Sequence, residues 1–213
     1  ELADWNKRAN LTAIIEYEAV QIKHFVDSLT VCLTARDILT GSTQTRTRVI
    51  DVGAGAGLPG LALKIVFPEI ELVLVESVAK KTAFMNHMVE KLGLDGVTVH
   101  TGRSEDLARD KDLRDSFDLV VARALAKLPL LLEFCLPFCK DGGKVVALKH
   151  GGDWSEQESA ANALKELGGQ INRVSTVLVD GLTDDRIVIS VEKTGPTPAN
   201  YPRAVGIPGK RPL

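Results

Sequence analysis

Val49-Ile50-Asp51-Val52-Gly53-Ala54-Gly55-Ala56-Gly57-Leu58-Pro59-Gly60 decides how the rest of the chain is read. Residues 49–52 are a short, β-branched-rich run and predict a buried strand. Gly53, Gly55 and Gly57 then alternate with alanine, and a helical run over 61–67 follows at once. Glycine lets the main chain turn sharply after a strand and lets a ligand lie against the backbone. A helix start directly behind the loop offers unpaired N–H groups and the positive end of a dipole. Strand, glycine turn and helix in that order predict the first βα unit of a nucleotide-binding fold. The bland alternative is a turn that merely joins strand to helix. Glu76 weighs against it, because it ends the next strand about 20 residues past the loop, where a carboxylate accepts hydrogen bonds from ribose hydroxyls.

Two cofactor classes compete for this loop. Gly55-x-Gly57-x-x-Gly60 matches the dinucleotide fingerprint, a weak signal by itself. Asp51, two residues before the first glycine, extends the pattern to Asp-x-Gly-x-Gly-x-Gly, which resembles motif I of class I S-adenosylmethionine (SAM) methyltransferases. Glu76 suits an adenosine ligand of either class, so the order of elements has to discriminate. Strands over 49–52, 71–76, 97–101, 118–121 and 144–148 alternate with helices over 59–67, 79–92, 128–139 (interrupted near Pro137) and 155–167 and should lie parallel. Ser155 and Glu158 have capping-box spacing, and Asp141-Gly142-Gly143 reads as a turn. The runs 173–179 and 186–192 are joined by a short polar loop with no room for a helix, which predicts an antiparallel hairpin. A nicotinamide-binding sheet stays parallel through six strands. The expected fold is therefore α/β: a class I SAM-methyltransferase, Rossmann-like, seven-stranded sheet with an antiparallel last strand. Ahead of it, helices over 2–15 (broken near Asn10), 18–33 and 35–39 predict an N-terminal helical cap, 1–48, ending in a polar linker over 41–48. The methyltransferase domain spans 49–193. A basic, proline-rich tail, 194–213, is expected to wrap or stay mobile.

Bulk properties fit one soluble globular unit: 213 residues, 45% hydrophobic and 25% charged, with no apolar run near the ~20 residues of a membrane span. A net charge of −2 excludes a generally basic nucleic-acid binder, yet the tail carries Arg203, Lys210 and Arg211 and no acidic side chain, a local edge that can meet phosphate. Cys32, Cys135 and Cys139 cannot build a disulfide framework. Cys135 and Cys139 lack further ligands nearby, so core cysteines are read in place of a zinc pair, no metal is expected, and the setting is cytoplasmic. A monomer is expected. The chain opens at Glu1, in mid-helix and without methionine, so preceding native residues are expected.

Asn10-Leu11-Thr12-Ala13-Ile14, His24-Phe25-Val26-Asp27-Ser28, the glycine loop, Ala122-Arg123-Ala124, Ala147-Leu148-Lys149 and Tyr201-Pro202-Arg203 together resemble the RsmG (GidB) family over nearly the whole chain. That resemblance implies a SAM-dependent methyltransferase acting on N7 of a single guanine, guanine 527 in the standard numbering, in the decoding-region loop of bacterial 16S ribosomal RNA in the small ribosomal subunit. It implies cofactor contacts at Gly53, Gly55, Gly57 and Leu58, with Glu76 at the ribose, Ser104 and Glu105 at the adenine edge, and Arg123. Ser104 departs from the small apolar residue usual there.

The residues agree with such chemistry. N7 of guanine carries a lone pair and no proton, so alignment suffices without a general base, and alignment contributes ~7–11 kcal/mol. The Asn/Asp-Pro-Pro-aromatic motif of adenine amino-group methyltransferases is missing after strand four, and no cysteine nucleophile follows strands four or five. Arg123 and Lys149 stand there. Arg123, the candidate catalytic residue, is read as a ligand of a phosphate, guanine O6 or the methionine carboxylate, against a structural ion pair with Glu105. Lys149 is an RNA contact or a solvated strand end. Lys80 and Lys81 open a helix where cations are disfavoured, which suggests a bound anion. His24 with Asp27 suggests a catalytic pair, with plain packing the alternative. Other readings are a methyltransferase of another RNA or a small molecule, a nicotinamide-dependent oxidoreductase, and a non-catalytic RNA-binding module.

Overall fold

The computed structural model describes residues 1–41, 46–150, 155–182 and 185–213, with the backbone alone at 155. Its centre is β1 (Arg48–Val52), whose Val49, Ile50 and Val52 are fully buried because parallel strands flank it on both sides. Ahead of β1 come α1 (Leu2–Ala9), α2 (Tyr17–Val20), a π-helix (Gln21–Val26), α3 (Asp27–Leu29) and α4 (Cys32–Thr40). Asn10, in the left-handed region at φ 48°, ends α1 and accounts for the break at that position. The helix read over 18–33 contains the π-helical stretch and stops at Leu29.

After β1 follow α5 (Gly60–Val66), β2 (Glu71–Glu76), α6 (Ala79–Leu92), β3 (Val97–Thr101), α7 (Ser104–Leu107), β4 (Phe117–Arg123), α8 (Leu128–Cys135), a 3₁₀ turn (Leu136–Phe138) and β5 (Cys139–His150). Then come α9 (Ser155–Ser159), α10 (Ala161–Leu167), β6 (Gly169–Thr176), β7 (Arg186–Lys193) and α11 (Ile207–Lys210). The sheet order is β3-β2-β1-β4-β5-β7-β6, with β7 antiparallel to both neighbours, as the hairpin rhythm predicted. Because side chains alternate across a strand, Ile50, Val52, Val120 and Ala122 feed the core under α8 and α10. Val49, Leu72, Leu119 and Val121 feed the other, shared with α4, α5 and α6.

Several boundaries differ from the sequence reading: the helix read over 2–15 stops at Ala9, and the strand read over 173–179 is β6, Gly169–Thr176. Asp141-Gly142-Gly143 lies within β5, where pairing with β4 shifts register between Phe117 and Leu119. A Cβ on Gly143 would sit 3.0 Å from the Asp118 carbonyl, so glycine permits the irregular approach that looked like a turn. The helix over 128–139 is interrupted near Pro137 as expected, by a 3₁₀ turn from Leu136, but Cys139 already belongs to β5. The helix over 155–167 is two, separated at Ala160, and the capping-box reading at Ser155 lies outside the described residues, as does most of the linker at 42–45. Arg48 belongs to β1. The tail wraps: Arg114 donates to the Thr197 and Tyr201 carbonyls at 2.8 Å, and Arg109 to that of Pro202 at 2.6 Å.

Candidate active site

The glycine loop is held from below and from the side by two carboxylates. Asp51 is buried in β1, and its Oδ2 accepts the Gly60 N–H at 2.8 Å, fastening the first turn of α5 to the strand. A Cβ on Gly60 would meet Leu74 at 2.6 Å and Asp51 at 3.0 Å, so only glycine allows helix and strand this close. Burial, opposed by the Gly60 hydrogen bond and Arg123, pushes the Asp51 carboxyl up to about 7. Its Oδ1 has no partner among the described residues. Glu76, at the end of β2, accepts from Gly55 N at 3.1 Å and Val78 N at 2.9 Å. Gly53, Gly55 and Gly57 all have positive φ. They differ in what lies beside them: a Cβ at Gly53 would strike Leu125 and one at Gly57 would strike Leu61, but at Gly55 it would meet only the Gly53 carbonyl, at an ordinary 3.9 Å, with space beyond. Gly55 is the position where the backbone itself forms the wall of the cleft.

That cleft has two lobes at the carboxyl ends of the strands, of about 310 and 400 Å³, together the size of a small-molecule site. Gly53, Glu76, Lys81 and Ala124 line both. The first lobe continues over Ser104, Glu105, Leu125 and Phe134. The second runs past Gly55 and Leu58 to a wall made by the leading helices: Leu11, Thr12, Lys23, His24 and Asp27. The open space at Gly55, the glutamate at the end of β2 and the apolar slot at Leu125 and Phe134 suit a nucleoside, and so fit SAM.

Arg123 ends β4 at the junction of cap and sheet. Its Nη1 pairs with Asp27 Oδ2 at 3.0 Å and donates to the Lys23 carbonyl at 3.3 Å. A π-helix closes i→i+5 rings, and such wide turns frequently mark functional sites; this one presents the Lys23 carbonyl to Arg123. The ion-pair partner is thus Asp27 and not Glu105, which lies nearer Arg103, at 3.8 Å. Asp27 is also paired with Arg186 from β7. His24 and Asp27 do not meet. His24 Nε2 bonds Thr12 Oγ1 at 2.8 Å, and the Asn6 side chain holds the Thr12 backbone from both sides. Burial first, then the Arg123 charge, pushes the His24 pKa down and favours the neutral ring.

Gly53, Gly55, Leu58, Glu76, Ser104, Glu105 and Arg123 are brought to this one cleft, while Gly57 turns the loop beneath it. Lys81 lines both lobes; Lys80 is exposed and lines neither. Lys149 is bonded to the Ala126 carbonyl and to Glu156, both at 2.8 Å. Arg203 forks onto buried Glu133 through Nε at 2.8 Å and through Nη2. Lys210 and Arg211 lie exposed at α11. Sequence reading missed Lys23 and Arg186 as lining residues. Lys23 had a signal, since it adjoins the quoted His24 motif; Arg186 had none, because its place depends on which strand β7 joins.

Fold and cleft define a SAM-dependent methyltransferase of class I. Among solved structures, the chain is similar to the SAM-bound 16S rRNA (adenine(1408)-N(1))-methyltransferase of Catenulisporales acidiphilia, with TM-score 0.57 and 16% identity over 70% of this chain and 86% of that one. It is similar in fold to the precorrin-6y C5,15-methyltransferase of Geobacter metallireducens, with TM-score 0.51 and 17% identity over 70% and 81%. The family described as rRNA small subunit methyltransferase G, GidB, matches residues 1–182, and the chain belongs to that family. Relatives named ribosomal RNA small subunit methyltransferase G are 46% identical in Dehalococcoides mccartyi, over all of this chain and 88% of theirs, and 42% identical in Exiguobacterium sibiricum, over 100% and 87%.

Proposed function

We propose that this chain methylates N7 of a single guanine in the decoding-region loop of 16S rRNA, acting as a cytoplasmic monomer on the small ribosomal subunit without a metal. The observation that carries the reading is the state of the second lobe's acid–base groups. Asp27 is committed to two arginines, Glu76 to two backbone amides and His24 to Thr12, and His150, which also lines the lobe, is engaged as well. A lobe so furnished suits an acceptor atom that loses no proton. Its polar, cationic lining suits an RNA nucleotide better than an apolar small molecule. When bound, SAM would supply a methyl group activated by its sulfonium; transfer to the N7 lone pair would leave the bonding pair on sulfur and the positive charge on the purine. Glu76 would accept the ribose hydroxyls, the loop around Gly55 would lie against the methionine chain, and Ser104 with Glu105 would meet the adenine edge. Arg123 would hold the nucleotide or the methionine carboxylate in line. Lys80, Lys81, Lys210 and Arg211 would meet RNA phosphates.

Mapping methylated guanines in 16S rRNA from cells lacking this protein tests the proposal. One N7-methylguanine should vanish, return with the wild-type protein and stay absent with Arg123→Ala. An unchanged map would overturn it.

A further inference from the structure

The second lobe is lined by four cations, Lys23, Lys81, Arg123 and Arg186, and two carboxylates, Asp27 and Glu76. The two carboxylates do different work. Glu76 is bound to the glycine loop on the cofactor side. Asp27 is, among the described residues, the carboxylate on the acceptor side, buried and placed between two guanidiniums: Arg123 on its Oδ2 at 3.0 Å and Arg186 on its Oδ1. Arg123 arrives from β4, Arg186 from β7, and Asp27 from the helical wall opposite. One carboxylate is therefore shared by both arginines, beside the other contacts that each of them makes.

This matters because of the sign of the charge the reaction creates. On the reading above, transfer moves a positive charge onto the acceptor ring. Cations that attract an RNA phosphate in the ground state repel that ring as it becomes cationic. Catalysis gains only from interactions that improve between ground and transition state, so unscreened arginines at this spot would bind substrate and slow it. The geometry points to Asp27 as a positioning residue that screens Arg123 and Arg186, making the acceptor lobe tolerant of a purine cation. The inference rests on the N7 reading and adds to it a requirement on the lobe's charge balance.

The signature is a split that a merely structural carboxylate would not give. Asp27→Asn keeps shape and removes charge. In single-turnover reactions on unmethylated small subunits it should slow transfer by about 10²-fold, the scale on which misplaced or unbalanced groups act. It should meanwhile leave the affinity for the subunit unchanged or tighter. Asp27→Glu, which restores the charge on a longer arm, should recover part of the rate. The double variant Asp27→Asn/Arg186→Gln removes one charge of each sign and should transfer faster than Asp27→Asn alone, a non-additive cycle. SAM titration by calorimetry reports folding of each variant. Parallel loss of rate and affinity in Asp27→Asn, an unaltered rate, or a double variant slower than the single would each overturn the inference. If Asp27→Asn fails to bind SAM, the ranking of the double variant and Asp27→Glu decides: rates near wild type support screening, and absent transfer in both overturns it. Should wild type itself place no methyl on guanine N7, the underlying reading fails, and that outcome is seen before any variant is made.

Discussion

The two lobes of one cleft are built by opposite means. The first is centred on a local motif: Gly53 and Glu76, 24 residues counting from 53 to 76, line it, Glu76 is tied to the glycine loop through the Gly55 N–H, and Ser104, Glu105, Leu125 and Phe134 complete the lobe. The second is made of side chains drawn from the whole chain. Thr12, His24, Asp27, Arg123 and Arg186 meet only once the helical wall, β4 and β7 are in place. A ligand shared by many enzymes can be gripped by a local motif. An acceptor particular to one family needs contacts that no short motif encodes.

The comparison predicts separable failures. Gly55→Val should abolish SAM binding while leaving the fold, since its Cβ meets no closer atom than the Gly53 carbonyl at 3.9 Å, so the added side chain fills the cleft, and a β-branched residue is strained at φ 59°. Undiminished heat in a calorimetric titration would place the cofactor elsewhere. Arg123→Ala should do the converse, keeping SAM affinity within a few-fold and lowering single-turnover transfer by about 10²–10³-fold, the usual cost of losing one preorganised charge contact. Its counterpart is a rate for wild type that stays flat between about pH 6 and 9. A tenfold rise per pH unit, lost with His24→Ala, would mean that a proton leaves in the step.

Smaller effects sharpen the boundary of the RNA surface. Arg203→Ala should destabilise the protein by about 3 kcal/mol, because it takes the guanidinium from the buried Glu133 carboxylate and leaves it the residue 203 N–H, while leaving the salt dependence of subunit binding intact. Lys210→Ala should do the reverse and reduce that slope by about one. Identical salt behaviour in both would remove the tail from the RNA surface. In the loop itself, Asp51 is raised from 3.8 to about 7 on folding. Between those values the folded state holds a proton that the unfolded state has released. Stability should therefore fall as pH rises through that window, by up to about 1.4 kcal/mol per unit, and level off above it. Asp51→Asn keeps a carbonyl for Gly60 and should flatten the slope, read as the difference between variant and wild-type denaturation curves.

The same contrast explains what was legible in the sequence. Strand and helix order, the antiparallel β7 and the Asp51–Gly60 loop all rest on local periodicity and glycine chemistry, so they could be read in advance. Asp51 was recognised as a marker, but its task of pinning Gly60 was not, since that depends on how closely α5 packs on β1. Lys149 and Arg203 show the limit from the other side. Each looked like a spare cation, yet each has an internal partner, Glu156 and Glu133, brought near by α9 and α8. A charge in a sequence carries no sign of whether its counter-charge is solvent, RNA or a buried carboxylate.

The π-helix over Gln21–Val26 makes one stretch of the chain rigid in length while leaving it free in composition. A wide turn holds about one residue more than an α-helical turn of 3.6. Deleting a single residue there would let the segment relax to α-helical winding, which closes the wide turn and withdraws the Lys23 carbonyl from Arg123. The wall of the cleft would lose the bulge that seats that arginine. Exposed Gln21 and Phe25 can be exchanged at little cost. An insertion or deletion between them should be as damaging as losing Arg123, so a library of variants in this helix should tolerate substitutions widely and length changes not at all.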